Sequence, residues 1–218
     1  MLYCATDGDA GKTSGLPVSS RAELGALRRN ELTAACQVLG IQPAARGGHP
    51  DGALGQTPPE TVVQEIVAFL RREKPDVVLT FGPEGAPTQH RDHKAISSLA
   101  TMAFLFAGSD EHYPELGTVF SPKRLCYVTW AQEIAEIYGV NGQPIQIRVD
   151  VRPWLSRKRA AFFAHATQRQ HEAAFEKGAV TDEECYFVAA GTLAPADASD
   201  LFAGLPSERS EGSAQLSP

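Results

Sequence analysis

The chain has 218 residues, of which 43% are hydrophobic and 21% are charged, a composition that is ordinary for one globular domain with its own core. The formal net charge of −6 argues against a nucleic acid or an anionic membrane as a partner, because no broad basic surface would neutralise phosphates. No apolar run approaches the roughly 20 residues that a membrane-spanning helix requires.

The cysteines indicate the cellular compartment. The four of them, at positions 4, 36, 126 and 185, are scattered along the chain and form no Cys-x-x-Cys pair. This pattern suits neither a disulfide framework nor a thiolate zinc site. We therefore expect reduced thiols and a cytoplasmic location.

Strand and helix patterns alternate along the chain. An apolar strand at 1–6 leads into a polar loop, and the spacing of apolar residues then predicts a helix between Ser20, its N-cap, and Gly40. A second helix precedes the clearest strand, at 76–81, which is an almost continuous apolar run of the kind that parallel sheets bury on both faces. The remaining predicted elements are a helix at 92–106, strands at 124–129, 145–151 and 184–190, and a helix at 155–177.

This alternation predicts a three-layer α/β domain with a mostly parallel sheet, which we assign to residues 1–192. From about residue 193 the chain consists largely of Ala, Ser, Gly, Pro and Glu. That composition indicates a disordered tail at 193–218.

The segment His90-Arg91-Asp92-His93 is the first candidate for a functional site. It follows the strongest predicted strand and opens a helix, and the sites of open α/β sheets lie at the carboxyl ends of strands. Two imidazoles and a carboxylate suit a metal ligand, a group that transfers a proton or stabilises an oxyanion, and an orienting partner. The alternative is a polar helix start, in which Asp92 caps the helix and both histidines are solvated.

The loop at 7–13 has a superficial likeness to a phosphate-binding loop. The motif requires a glycine where the chain has Thr6, and the carboxylates of Asp7 and Asp9 would repel phosphate groups. We therefore do not expect nucleotide binding.

Three further residues have both a functional and a structural interpretation. Asp51, in the loop Gly48-His49-Pro50-Asp51-Gly52, could contact a substrate, and an Asx-type turn is the structural alternative. Arg28 fits a solvated helix face, paired with a glutamate of the same helix. His165 lies in an apolar helical stretch, where a satisfied and partly buried histidine is expected.

Taken in order, several segments resemble the LmbE-like, or PIG-L, deacetylase family, over roughly residues 3–190. The matching segments are Ala5-Thr6-Asp7-Gly8-Asp9-Ala10-Gly11, Leu27-Arg28-Arg29-Asn30-Glu31-Leu32, Pro50-Asp51-Gly52, Lys74-Pro75-Asp76-Val77-Val78, His90-Arg91-Asp92-His93, Lys158 and Ala164-His165-Ala166-Thr167-Gln168.

The resemblance implies a Rossmann-like fold and hydrolysis of the acetamide of an N-acetylglucosamine-type sugar or conjugate, with zinc or another divalent ion as cofactor. It implies His93 as a metal ligand and His90 as the group that stabilises the tetrahedral intermediate or protonates the leaving amine. It further implies that Asp92 tunes His90, and that Arg28 and Asp51 contact the substrate.

One departure from the family pattern concerns its opening segment. Family members begin with a strand that ends in His-Pro-Asp-Asp-Glu, followed by a helix, and this opening supplies two metal ligands and the general base. The 218 residues contain no such segment. We therefore expect a sheet without its first strand and helix, owing to a start codon assigned too late or to a truncated gene.

The departure has three expected consequences. Three protein ligands and a water are typical of a catalytic zinc, so we expect little bound zinc and no deacetylase activity from these 218 residues. An incomplete sheet edge also favours self-association into a homo-oligomer. The alternative function is that of a non-catalytic remnant, which binds a sugar or a protein partner.

Overall fold

The computed structural model describes residues 1–206, in which strands and helices alternate along the chain as predicted. The elements are β1 (Tyr3–Thr6), α1 (Arg21–Leu39), β2 (Ala45–His49), α2 (Pro59–Glu73), β3 (Val77–Phe81), α3 (Arg91–Ala107), β4 (Arg124–Thr129), α4 (Gln132–Tyr138), β5 (Ile147–Asp150), α5 (Leu155–Phe163), α6 (Glu172–Gly178) and β6 (Glu183–Gly191).

The boundaries of α1 follow from its capping residues, and both were predicted. The Ser20 side chain accepts a hydrogen bond from the backbone N–H of Glu23, and Gly40 ends the helix with a φ of 73°, where a glycine costs little. The predicted helix at 155–177 is instead divided into α5 and α6 by the 3-10 segment Ala166–His171.

The strands form two sheets, and the prediction of a mostly parallel sheet is wrong. β1 and β2 form a parallel pair, while the second sheet has the order β3-β4-β6-β5. Only the β3–β4 pairing of that sheet is parallel, because β6 runs antiparallel to both β4 and β5. The apolar run also does not lead to burial on both faces, because Leu79 of β3 is 45% exposed. Such a run does not reveal the direction of the neighbouring strand.

The largest cluster of buried apolar side chains lies where α2 and α3 pack together and against β1. Val62, Val63 and Val67 of α2 and Ala103 of α3 have no exposed surface. This packing fixes the start of α3, which carries the candidate histidines, relative to the carboxyl end of β1. In residues 1–206, no helix is both long and apolar enough to cross a membrane.

The structure differs from the predicted disorder in the segment 193–206. Ala198 forms a bridge to Ile147 of β5, and this segment packs on the sheet in a second apolar cluster. The fully buried Arg124 guanidinium donates hydrogen bonds to the carbonyl oxygens of Leu193 and Leu201, among others. Composition alone predicted a tail because these contacts are long-range. The rest of that prediction, at 207–218, lies outside the described residues.

A second buried arginine, Arg71 of α2, holds the chain that follows α3. Its guanidinium donates to five carbonyl oxygens, which belong to Phe106, Ala107, Ser109, His112 and Tyr113. The Arg71 residue is only 2% exposed, so these five hydrogen bonds are shielded from water. The carbonyls of Phe106, Ala107 and Tyr113 accept a backbone N–H as well.

Replacing Arg71 by leucine should lower the free energy of unfolding by about 3 kcal/mol or more, because five hydrogen bonds from a buried, charged donor would be lost. The neighbouring Arg72 is a matched control, since its side chain is 61% exposed and pairs with Glu73. Arg72→Leu should change the free energy of unfolding by no more than about 0.5 kcal/mol. Urea denaturation measures both, and equal effects would contradict the structural role of Arg71.

Candidate functional site

The candidate histidines lie at the carboxyl end of β3, where the chain turns into α3. The turn contains three residues with a left-handed backbone: Gly85 at φ 80°, Ala86 at φ 64° and Gln89 at φ 53°. A left-handed conformation costs energy in residues other than glycine, and such residues are concentrated at functional sites. His90 then serves as the N-cap of α3.

His90 and His93 are held in opposite tautomers. The Nδ1 atom of His90 accepts a hydrogen bond from the backbone N–H of Asp92 at 3.2 Å, so a neutral His90 carries its proton on Nε2. The Nδ1 atom of His93 lies 3.2 Å from the carbonyl oxygen of Gly85, which can only accept. A neutral His93 therefore has its proton on Nδ1 and a free lone pair on Nε2, the arrangement of a metal-binding imidazole.

The environment of His93 favours its neutral form. Its ring stacks on Phe81, with 4.0 Å between the ring centroids, and the His90 ring is 5.1 Å away. Burial lowers the pKa of the His93 imidazole below the ordinary value for histidine, and the neighbouring His90 acts in the same direction. A histidine in this state can bind a metal ion or accept a proton.

Asp92 has a role that the sequence did not indicate. Its carboxylate is buried and accepts hydrogen bonds from the backbone N–H groups of Gly52, at 2.6 Å, and Leu54, at 3.1 Å. The contact between Asp92 and His90 runs instead from the Asp92 backbone N–H to the imidazole. The helix cap is His90, so Asp92 is not the cap that the structural alternative required. Its side chain joins the loop after β2 to the start of α3.

Asp51 lies in that same loop and joins it to the chain after β1. Its carboxylate accepts from the backbone N–H of Ala10 at 2.9 Å and from the hydroxyl of Thr6 at 3.4 Å. Its backbone carbonyl accepts from Arg21. The structure thus brings the backbone next to Asp51 into contact with Asp92, because Gly52 donates to that carboxylate. The loops that meet here follow three different strands.

His49, two residues before Asp51, makes contacts that stabilise the fold. Its Nε2 atom is 2.9 Å from the carboxylate of Glu65, which also accepts from the hydroxyl of Tyr3. These contacts fasten the end of β2 to α2, and they occupy one of the two ring nitrogens of His49.

Arg28 lies in a cavity of about 440 Å³, between α1 and the segment that follows α5. One terminal nitrogen of its guanidinium donates to the carbonyl of Lys12 at 3.1 Å, and its Nε atom is buried without a hydrogen-bond partner in residues 1–206. A Cβ atom on Gly8 or Gly11 would come within 2.4 or 2.5 Å of the guanidinium, so a side chain at either position would displace Arg28 from its present place. The cavity is lined by Cys4, Thr6, Asp7, Gly8, Arg28, Arg29, Leu32, Phe162, His165, Gln168 and His171.

The two glutamates expected as alternative partners of Arg28, Glu31 and Glu23, are occupied elsewhere. Glu23 accepts from the backbone N–H and the hydroxyl of Ser19. Glu31 is buried and accepts from the backbone N–H of Thr167 at 2.9 Å and from its hydroxyl at 2.7 Å. Nδ1 of His165 lies 3.8 Å from the same carboxylate. Burial lowers the pKa of His165, while the charge of Glu31 opposes that shift. His165 is thus partly buried, as the structural interpretation expected, and it also lines the cavity.

The predicted site residues therefore fall into two groups. Arg28 lines the cavity, whereas Asp51 and the histidines of α3 do not. Thr6 connects the groups, because it lines the cavity and donates to Asp51. Sequence reasoning missed Thr6 and the Glu31–Thr167 contact. The only available signal for that contact was the position of Glu31, one helical turn after Arg28.

The metal ligands of a catalytic site are not assembled in the part of the chain that the structure describes. There, no group of three or more His, Cys, Asp or Glu side chains could hold a metal ion. His93 offers one free imidazole nitrogen, whereas a catalytic zinc takes three protein ligands. The residues that are present do not fit such an ion by themselves.

Comparisons with known proteins agree on one family. Residues 1–104 match the family model PIG-L, GlcNAc-PI de-N-acetylase. A 1D-myo-inositol 2-acetamido-2-deoxy-alpha-D-glucopyranoside deacetylase of Rhodococcus erythropolis is 29% identical, over 89% of this chain and 82% of the relative. A probable N-acetyl-alpha-D-glucosaminyl L-malate deacetylase 2 of Bacillus anthracis is 30% identical, over 76% of this chain and 66% of the relative.

Two solved structures show the fold. The conserved protein TT1542 of Thermus thermophilus superposes with a TM-score of 0.65 at 23% identity, over 87% of this chain and 80% of its own. GalB, a 4-carboxy-2-hydroxymuconate hydratase of Pseudomonas putida, gives the same TM-score at 18% identity, over 88% and 85% of the two chains. Because proteins with different activities share it, this fold does not define a reaction.

Replacing Asp92 by asparagine should lower the free energy of unfolding by about 1–3 kcal/mol, because an amide nitrogen cannot accept from the N–H of Gly52 or Leu54. Amide hydrogen exchange of these two residues should accelerate with it. The exposed Asp110 provides the control, and Asp110→Asn should leave stability and exchange unchanged. Unchanged protection of Gly52 and Leu54 in Asp92→Asn would contradict the bridging role.

Proposed function

The chain belongs to the PIG-L, or LmbE-like, family of GlcNAc-PI de-N-acetylases, and on that premise we propose that it hydrolyses the acetamide of an N-acetylglucosamine-type sugar or conjugate in a metal-dependent reaction. The observation that carries the proposal is the pair of opposite tautomers at the start of α3. One imidazole presents a free lone pair, as a metal ligand must. The other presents an N–H, as the proton donor in amide hydrolysis must.

Each histidine has one role in this proposal. His93 would be a ligand of zinc or a similar divalent ion through its Nε2 atom. His90, with its proton on Nε2, would donate to the acetamide oxygen as that atom becomes negative, or to the leaving nitrogen. Asp92 would act by positioning, since its carboxylate holds the neighbouring loop. A catalytic zinc requires two further protein ligands, so residues 1–206 do not form its site alone.

The cavity around Arg28 supports a polar conjugate of N-acetylglucosamine as the substrate. The two named relatives act on an inositol glycoside and on a malate glycoside of this sugar. A guanidinium without an acidic partner in the described part of the chain suits an anionic or hydroxyl-rich group. Arg28 and Asp51 would contact this substrate, whose identity stays open within that class.

Three broader predictions from the sequence remain part of the proposal. Free thiols at all four cysteines support a cytoplasmic location. The strands form two separate sheets, of two and four strands, and not one continuous sheet. The open edges of these sheets support self-association. Residues 1–206 contain α/β packing and a mixed sheet. The finer description, a Rossmann-like arrangement of three layers, is proposed from the family.

A second candidate function is metal-independent binding of the same sugar. The observation that favours it is the ligand count, because the Arg28 cavity is formed without any of the candidate metal ligands. This reading predicts that N-acetylglucosamine conjugates bind equally well with and without a chelator, and that no primary amine is released.

The ligand count predicts the zinc content of the 218-residue chain. After dialysis against zinc and then against buffer, we expect well below one zinc ion per chain, because a single imidazole binds zinc weakly. Elemental analysis by mass spectrometry measures the ratio. One tightly bound zinc ion per chain, lost in His93→Ala, would contradict the ligand count and favour hydrolysis by these residues alone.

Hydrolysis is tested on protein isolated from its native cells, with release of primary amine from N-acetylglucosamine conjugates as the readout. We expect release that a chelator abolishes, and that falls at least about 100-fold in His93→Ala and in His90→Ala. His112→Ala is the control, because His112 stacks on Phe106 at the other end of α3. Chelator-insensitive binding with no amine release would favour the second candidate.

A further inference from the structure

Two buried side-chain atoms in residues 1–206 have no hydrogen-bond partner, namely Nε of Arg28 and Oε2 of Glu84. Arg28 belongs to the cavity described above, whereas Glu84 has no part in the proposed function. A carboxylate oxygen that is buried without a partner costs free energy, so its placement requires a compensating contact. That contact is on the other oxygen of the same carboxylate.

The Oε1 atom of Glu84 accepts a hydrogen bond from the side-chain amide of Gln143. Gln143 lies in the loop between α4 and β5, which is itself fixed to the end of β4. The hydroxyl of Thr129 donates to the Gln143 carbonyl at 2.7 Å, and the indole N–H of Trp130 donates to the Val140 carbonyl at 2.9 Å. Glu84 is thus attached to a well-anchored segment 59 residues away in sequence.

Gly85, the next residue, carries the carbonyl on which both histidines depend. This oxygen accepts from the backbone N–H of His90 at 3.1 Å and faces Nδ1 of His93 at 3.2 Å. A rotation of the Gly85–Ala86 peptide, which contains this carbonyl, would therefore remove the acceptor that keeps the His93 proton on Nδ1. Gly85 and Ala86, the two residues of that peptide, both have a positive φ. Because this conformation costs energy at Ala86, a contact from outside the loop would help to hold it.

We propose that the Glu84–Gln143 hydrogen bond is a positioning contact, which fixes the Gly85 carbonyl and thereby holds His93 with its Nε2 atom unprotonated. The inference rests on the proposed function for the significance of His93. The inference concerns only the tautomer of His93. It can therefore fail while the proposed sugar binding and hydrolysis are confirmed, and it can be confirmed while they fail.

Gly82 offers a way to break this contact without altering either partner. A Cβ atom on Gly82 would come within 2.1 Å of Oε2 of Glu84, and the flexible end of that side chain would have to move away. The backbone of Gly82 does not have a positive φ, so alanine is compatible with its conformation. Gly55 is the matched control, because its Cβ atom would make an ordinary contact of 3.7 Å with Ala95.

The test is the tautomer of His93, read from the 15N shifts of its two ring nitrogens in long-range NMR spectra at a pH where the ring is neutral. In the unaltered chain we expect one nitrogen of pyrrole type, Nδ1, and one of pyridine type, Nε2. Glu84→Ala, Gln143→Ala and Gly82→Ala should each move the two shifts toward each other. Glu84→Gln, which keeps a carbonyl acceptor for Gln143, and Gly55→Ala should leave them separate.

The double variant Glu84→Ala/Gln143→Ala should shift the signals no further than either single change, because both remove the same contact. A merely structural role would lower the melting temperature and leave the His93 shifts in place. Among Glu84→Ala, Gln143→Ala and Gly82→Ala, the variants that fold should all show the change, and unchanged His93 shifts in them would overturn the proposal. A change in Gly55→Ala as large as in these variants would also overturn it.

Discussion

The arrangement of the candidate site depends on one buried carboxylate, that of Asp92. A buried carboxylate is stable only with strong donors, and here two backbone N–H groups, of Gly52 and Leu54, supply them. The loop after β2 is therefore held against the first turn of α3. Asp51, in that loop, in turn binds the backbone of Ala10, after β1. Two adjacent hydrogen-bonding carboxylates thus connect the loops at the carboxyl ends of three strands, which is where sites of α/β folds lie.

The contact between Asp92 and His90 is made by the Asp92 backbone N–H, and the tuning of His90 by the Asp92 carboxylate, which the family resemblance implied, stays a prediction. The two carboxylate oxygens of Asp92 are already used by the loop, and the His90 imidazole accepts from the Asp92 backbone. The orientation of each histidine is set by main-chain groups: the N–H of Asp92 for His90 and the carbonyl of Gly85 for His93. Main-chain groups make no distinctive sequence signal, so neither tautomer could be predicted from the residues alone.

Local signals predicted what local interactions determine. Ser20 and Gly40 marked the ends of α1, and the apolar run of β3 marked the strand that leads to the histidines. β2 was missed because Gly47 and Gly48 give no strand pattern, and Gly47 is needed where the Tyr3 hydroxyl would lie 2.5 Å from a Cβ atom. The antiparallel direction of β6 and the packing of residues 193–206 depend on long-range contacts. The buried Arg124 holds much of the segment 193–206 in place through hydrogen bonds to its carbonyl oxygens. The residues next to Arg124 in the sequence give no sign of these partners.

In the proposed function, recognition of a sugar and chemistry on its acetamide would fall to separate parts of this chain. The cavity is built by α1, the loop after β1 and the segment after α5, while the histidines belong to α3. Asp51 connects the two parts, because it accepts hydrogen bonds from Thr6 at 3.4 Å and from Ala10 at 2.9 Å. Because the cavity needs no metal ligand for its own structure, loss of hydrolysis would leave it intact. A polar helix start without histidines would serve the structure equally well, so the structure alone does not require the two histidine tautomers. Their opposite protonation is therefore the feature that binding alone leaves unexplained, and it weighs in favour of hydrolysis.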